Sequence, residues 1–313
     1  ALMTPNPIML PSTSPAYEAL LKMTRHTIYH VLVVDEEGHL VGMLSERDLF
    51  ALQRLSLGQV NYSILNAVEP EHLKQATQDI RTLTKNMLAQ GVPAEQLIGF
   101  ISTLKTSLVQ RVLSLYLGNV PYPQVHYCWV TFASAGRDEQ TLNTIQTNAI
   151  IYENNGDTPN ERVLAWFLQA AQKVNTVLAE CDFPFKPNRI LAGQADYCLT
   201  MDAWQEKMTS LFTAARETGE LNAEWFDLQA VAGDARLAEQ LRLYMIEQIE
   251  VDRDLLKKMA DTALLKAPPL ELPLQEEVDL KRSGVVPFVD AVRLYSLAFG
   301  VNAQTTAERL RQV

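Results

Sequence analysis

Cysteine is scarce: the 313 residues hold 3 cysteines, Cys128, Cys181 and Cys198, far apart and with no C-x-x-C pair. That spacing excludes a disulfide framework and a zinc site and leaves reduced, buried thiols as the expectation. No apolar run is long enough to span a bilayer and no signal-peptide pattern is present, so the chain reads as cytoplasmic with no membrane contact. Basic clusters are missing as well. With 27 Lys and Arg against 37 Asp and Glu, the formal net charge is −10, which argues against a nonspecific grip on nucleic acid.

What is present suffices for a folded protein, since a hydrophobic content of 47% supplies ample core for one large domain or two to three small ones. The chain opens ALMTPNP, which reads as a piece of a longer polypeptide. Residues 1–57 read as βαββα: an extended Ile8–Leu10, a helix from Ser14-Pro15 through Met23, strands at Val31–Val34 and Leu40–Leu44 joined by a turn at Asp35–Gly38, and a helix from Arg47 to Leu55. Residues 58–120 read as a helical hairpin. Leu73, Ala76, Ile80, Leu83 and Met87 form one apolar stripe, Gly91-Val92-Pro93 interrupts it, and Leu97, Ile101, Leu104, Leu108, Val112 and Leu115 form a second. Pro121 and Pro123 close this connector.

The rest of the chain is arranged around Phe132–Glu153. Tyr127–Phe132 (YCWVTF) predicts a strand ending in a turn at Ala133, Ser134, Ala135 and Gly136, where Gly136 can take a positive φ and successive N–H groups can attract an anion. Arg137 would add a forked cation there. Thr144–Tyr152 alternates as a second strand, with Ile145, Thr147, Ala149 and Ile151 on one face and Gln146, Asn148 and Ile150 on the other. Helices follow at Glu161–Glu180 and Met201–Arg216. The strand-like WFDLQAVAG follows, carrying Asp227, and then a long helix over 234–265. Pro268, Pro269 and Pro273 mark a linker, so the core is expected over 121–232 and a C-terminal helical domain over 233–313.

The central segment resembles the bacterial nucleotidyltransferase-like proteins that follow CBS and cyclic-nucleotide-binding modules, which are similar to the uridylyl- and adenylyltransferases of nitrogen regulation. Ser134, Gly136, Arg137, Glu139, Gln140, Thr141, Leu142, Thr144, Gln146, Asn148 and Ala149 match that family's G-S-x-G-R-x-E-Q-T-L-x-T-D-Q-D-N-A-L-I. The C-terminal stretch matches too, at positions that include Asp290, Arg293, Thr306, Glu308 and Arg309. The resemblance implies an α/β plus α fold with a mixed-sheet core, and a nucleotide site at Ser134, Gly136, Arg137 and Glu139. Residues 1–57 resemble one CBS motif, and the matching S-x-x-D step implies adenosine contacts from Ser45 and Asp48. Read from the residues alone, the same pair is a helix cap and its capping-box partner. A single motif implies a homodimer or a missing second motif.

The chain departs from the family where the chemistry sits. The two metal-binding aspartates of the pattern fall on Ile145 and Thr147, and the first glycine of the turn falls on Ala133. Nucleotidyl transfer relies on paired hard cations held by carboxylates, and isoleucine offers no ligand. Asp227 is the residual third carboxylate, and Gln229 stands where arginine is usual. Lys186, Asn188 and Arg189 depart from a second motif. The expectation is a signal-transduction protein with a degenerate, inactive transferase-like domain, no certain cofactor, no metal, and an unknown protein partner. The alternative is an active Mg²⁺-dependent transferase that recruits Glu139, Asp227, Asp138 or Glu153 as substitute ligands.

Overall fold

The computed structural model describes residues 6–46, 48, 57–118, 124–154, 156, 158–186, 189–218, 221–251, 253–265 and 279–313. Asn188, the boundary and linker prolines, and the expected helix over 47–55 apart from Asp48 lie outside them. The chain divides into two compact units, 1–108 and 109–313.

In the first unit, β1 (Met9–Pro11), β2 (His30–Val34) and β3 (Leu40–Ser45) form a sheet in that order, β1 parallel and β3 antiparallel to β2. Helix α1 (Ala16–His26) covers one face, where Leu10, Ala19, Met23 and Val31 are buried together. Period-two alternation puts the neighbours of those residues on the opposite face. There the register aligns Met9, Leu32 and Met43 side by side, with Met9 49% and Met43 61% exposed. Two helices follow, α2 (Leu57–Leu65) and α3 (Pro70–Ala89). The Leu73, Ala76, Ile80, Leu83 and Met87 stripe is buried as its spacing predicts, each of its leucine, isoleucine and methionine side chains contributing about 1.5–3 kcal/mol on removal from water. Gly91 adopts φ +77 before α4 (Ala94–Leu117), a helix within which the division between units falls.

The second unit is built on a four-stranded sheet in the order β6 (Cys198–Thr200), β5 (Asn148–Tyr152), β4 (Tyr127–Thr131), β7 (Gln229–Gly233). Strand β4 is antiparallel to both its neighbours, whereas β5 and β6 are parallel and joined through α6 (Asn160–Glu180). Alternation sends Cys128, Val130, Ala149 and Ile151 into one core with Trp204, Met208 and Phe212 of α7 (Met201–Thr218). Leu237, Leu241 and Met245 of α8 (Ala235–Val251) and Leu255 and Met259 of α9 (Arg253–Leu264) complete that core. On the other face Phe167 of α6 lies 5.4 Å from Tyr127 and 5.2 Å from Tyr152, ring centre to ring centre. The tail adds α10 (Val286–Ala298) and α11 (Thr306–Gln312), the latter opened by a capping box between Thr305 and Glu308.

Two local expectations need correction. The second strand begins at Asn148, not Thr144, because the preceding backbone bonds elsewhere: Gln146 N–H to the Pro184 carbonyl at 3.0 Å and Thr144 N–H to that of Thr141 at 3.3 Å. Ile145 and Thr147 therefore lie in the lead-in to β5 and not on its face. The long helix expected over 234–265 starts at Ala235 and is helical over α8 and α9, with Asp252 between them outside the described residues, and Asp234 precedes it and accepts the Arg236 N–H at 3.1 Å.

Candidate nucleotide site and its arginine cluster

Strand β4 runs into the single helical turn α5 (Ala133–Gly136). The positive φ falls on Ala133, at +57, and on Asp138, at +55, and not on Gly136. Glycine is needed at 136 for a different reason: a Cβ there would overlap the Asp227 carbonyl oxygen. The turn and the Asp227 segment thus touch backbone to backbone, which only a residue without a side chain permits. The N–H groups of Gly136, Arg137, Asp138 and Glu139 are bonded back to Phe132, Ala133, Ala135 and Ser134. The Ser134 side chain makes no hydrogen bond among the described residues, and that of Thr147 is buried.

Close approach at Gly136 brings Arg137 onto the carboxylate of Asp227, which ends a short 3-10 segment (Ala223–Asp227) ahead of β7 rather than sitting on the strand. Arg137 Nη1 donates to Asp227 Oδ2 at 2.5 Å and Nε donates to Glu139 Oε2 at 2.8 Å. From α10, Arg293 donates Nε to Oδ1 at 3.1 Å and Nη2 to Oδ2 at 2.7 Å, while its Nη1 reaches Asp290 Oδ1 at 2.5 Å. From α11, Arg309 donates Nη1 to Asp227 Oδ1 at 2.8 Å and Nε to the Ala303 carbonyl at 2.9 Å. Glu139 Oε1 accepts the Thr306 N–H at 2.6 Å, closing the cluster onto the start of α11.

Asp227 is 0% exposed and each of its oxygens accepts two guanidinium bonds, which fills the roughly four lone-pair directions of a carboxylate. Burial alone would raise its pKa, but Arg293, Arg137 and Arg309 outweigh that and hold it below the usual carboxylate range. Burial likewise disfavours the Arg293 charge, and Asp227 and Asp290 override it and push its pKa up. Three carboxylates, Asp227, Asp290 and Glu139, face three guanidiniums, so the cluster is neutral and internally satisfied. No lone pair of Asp227 is left for a cation.

Asp138 is the exception among the nearby acids. Burial raises its pKa, and the Gln229 amide at 3.0 Å offsets this only in part, with Glu308 and Glu139 adding repulsion. Glu153 lies past the far end of β5. Six residues at about 3.3 Å each put it about 20 Å along the chain from Thr147, too far to share a cation with the turn.

A second network explains the matched amides. Gln146 Nε2 donates to the Asn175 and Phe183 carbonyls at 2.9 and 2.6 Å, and Asn175 Nδ2 donates to Gln146 Oε1 at 2.8 Å and to Asn148 Oδ1 at 3.0 Å. Asn148 Oδ1 also accepts the Ala192 N–H at 2.9 Å. These buried amides tie the β5 lead-in and the 183–193 loop to α6. Sequence reasoning passed over Asn175, although a lone amide within the apolar stripe of α6 was a signal for it. Arg189 in that loop pairs with Glu224 at 2.9 Å and is part-exposed.

In the first unit Ser45 and Asp48 meet each other. Ser45 Oγ donates to Asp48 Oδ2 at 2.5 Å, the Ser45 N–H reaches the same oxygen at 3.0 Å, and the Asp48 N–H returns to Ser45 Oγ at 3.1 Å. This reciprocal bonding is that of a capping box.

Set beside known families, residues 78–218 match the model described as Putative nucleotidyltransferase DUF294. Residues 1–54 match the CBS domain, and residues 253–313 match the Putative nucleotidyltransferase substrate binding domain. No curated protein matches the chain. The three matches support a regulatory or nucleotidyltransferase-like protein. The mixed sheets, the CBS segment and the C-terminal helices agree with the α/β plus α fold. No helix among the described residues is long and apolar enough to cross a membrane.

Proposed function

We propose that this is a cytoplasmic signal-transduction protein whose transferase-like unit acts by binding a nucleotide or a protein and not by nucleotidyl transfer. The observation that carries this reading is the state of Asp227, the residual third carboxylate of the family pattern, with both oxygens consumed by Arg137, Arg293 and Arg309. The residues present do not fit a two-cation site: Ile145 has no donor atom, Thr147 has a neutral one, and Asp227 has no free lone pair. The substitute ligands are also engaged or distant. Glu139 is held by Arg137 and the Thr306 N–H, Asp138 by Gln229, and Glu153 lies beyond the opposite strand end.

Ser134, Gly136, Arg137 and Glu139 belong to this unit as architecture first, with Ser134 the group available to a nucleotide. On the same reading Ser45 and Asp48 exchange their mutual bonds for an adenosine ribose. The apolar row Met9, Leu32 and Met43 then seats a second CBS motif, supplied by an upstream segment or a homodimer mate.

Calorimetric titration with ATP, with and without Mg²⁺, tests the proposal. Metal-independent binding lost in Asp48→Ala supports the sensor role. A labelled-nucleotide transfer assay, comparing the chain with an Ile145→Asp, Thr147→Asp double variant, addresses catalysis directly. Transfer by the unmodified chain, dependent on Mg²⁺, overturns the proposal.

A further inference from the structure

Helix α10 is turned inside out relative to an ordinary surface helix, which keeps its apolar stripe inward and its charges in water. Its inward face carries Asp290, Arg293 and Ser296 beside Val289 and Val292, all of them buried. Its outward face carries Phe288 at 67%, Tyr295 at 58% and Phe299 at 69% exposed, with the exposed Ala291 and Ala298 between them. Asp290 and Arg293 are the only charged residues from Ser283 to Val301, so no charge of this stretch reaches solvent. The reversal follows from the arginine cluster, which draws Arg293 inward onto Asp227 and Asp290 and leaves the rings on the other side. On that outer side Tyr295 and Phe299 stack, with ring centres 6.5 Å apart and planes 6° from parallel.

A contiguous exposed apolar stripe marks a docking surface, and its chemistry selects the occupant. The stripe is uncharged, so it offers nothing to steer an acidic or basic partner, and the net charge of −10 opposes an anionic membrane surface. It is, however, complementary to itself. Positions 288 and 299 share nearly one midpoint with positions 291 and 295. Antiparallel pairing about a two-fold axis therefore sets Phe288 against the partner subunit's Phe299 and, in the same register, Tyr295 over the partner subunit's Ala291. A ring then faces a methyl group, the alternation of large and small that lets facing helices interdigitate. Three rings of about 150–250 Å² each, about two-thirds exposed, bring roughly 300–500 Å² from each copy. Doubled across the interface and extended by the exposed Val285, this reaches the roughly 1,000 Å² at which specific association begins.

We propose that the outward face of α10 is a homodimer interface, paired antiparallel with the same face of a second copy of the chain. It lies wholly within the second unit and uses none of Met9, Leu32 and Met43, so it stands apart from any pairing of the first-unit sheet. Sedimentation velocity on the full chain carrying Met9→Glu and Met43→Glu, which blocks that sheet face, should show a reversible monomer–dimer equilibrium between about 1 and 100 µM. Adding Phe288→Ser and Tyr295→Ser should weaken association about 30-fold or more, the loss expected for aromatic anchors at the centre of an interface. Both positions are exposed, so an unchanged urea midpoint confirms that the fold is intact. Adding Leu243→Ser and Leu264→Ser instead, at exposed apolar positions on other helices, should leave association unchanged. A chain that stays monomeric at 100 µM with the sheet face blocked would overturn the proposal and leave the stripe to a different protein. So would equal weakening by the two serine pairs, or association that Phe288→Ser and Tyr295→Ser do not touch.

Discussion

Arg293 holds both oxygens of Asp227, with Nε 3.1 Å from Oδ1 and Nη2 2.7 Å from Oδ2, across 66 residues of chain. The pair joins the C-terminal helices to the segment that enters β7. Arg137 and Arg309 converge on the same carboxylate, so the cluster fixes the turn, α10 and α11 relative to one another.

Removing the acid should cost more than removing any one of its partners' exposed counterparts. Asp227→Asn leaves three buried guanidiniums short of a counter-charge and is expected to destabilise by about 3–5 kcal/mol. Breaking the part-exposed Arg189–Glu224 pair by Arg189→Ala should cost no more than about 1 kcal/mol. Urea unfolding of both variants checks the contrast; a similar small loss in each would show that the cluster is not a structural lock.

Acid should act through the same group. Its folded pKa is depressed, so Asp227 adds stability that is fully present above the unfolded value of about 4 and lost as pH falls through the folded value. Asp138 has the opposite sign. Its pKa is raised, so its ionisation opposes folding increasingly as pH climbs from about 4 through the folded value. Asp138→Asn should therefore gain relative to the parent between the acid limb and neutrality. Gln229→Arg should return the Asp138 titration toward its ordinary value, as followed by carboxyl carbon NMR.

Ala133 carries a φ of +57 where the resembled pattern has glycine. A left-handed conformation costs a non-glycine residue about 1–2 kcal/mol, partly offset by the extra chain entropy that glycine loses on folding. Ala133→Gly is expected to be neutral or to raise the urea midpoint, while Gly136→Ala should destabilise strongly because its Cβ has no room beside the Asp227 carbonyl. Equal effects at the two positions would contradict this division of roles.

The thiols give a probe of the core. Burial pushes Cys128 and Cys198 up to about 12, and Cys181 is buried too. A thiol reagent at pH 8 should label none of the three in the folded chain and all of them in urea. Rapid labelling of Cys128 or Cys198 without denaturant would show that the sheet opens locally.

The strands at Tyr127 and Val31 and the helices over 70–89, 94–117 and 160–180 were legible because alternation and 3.6-residue spacing are local properties of the chain. The lead-in to β5 was not. Thr144–Thr147 alternates like a strand, yet Gln146 spends its N–H on Pro184 and its side chain on Asn175 and Phe183. Those partners come from segments that periodicity does not connect. For the same reason Arg137 read as a donor for phosphate when its position alone was known, whereas Asp227, 90 residues away, occupies it.

The sequence by itself determined the element order, the apolar faces and the identities at 145, 147 and 227, because side-chain chemistry and spacing travel with the chain. Only the tertiary structure decided what Asp227 does. A carboxylate becomes a ligand or a lock according to which charges share its burial, and here Arg137, Arg293 and Arg309 arrive from three separate parts of the chain.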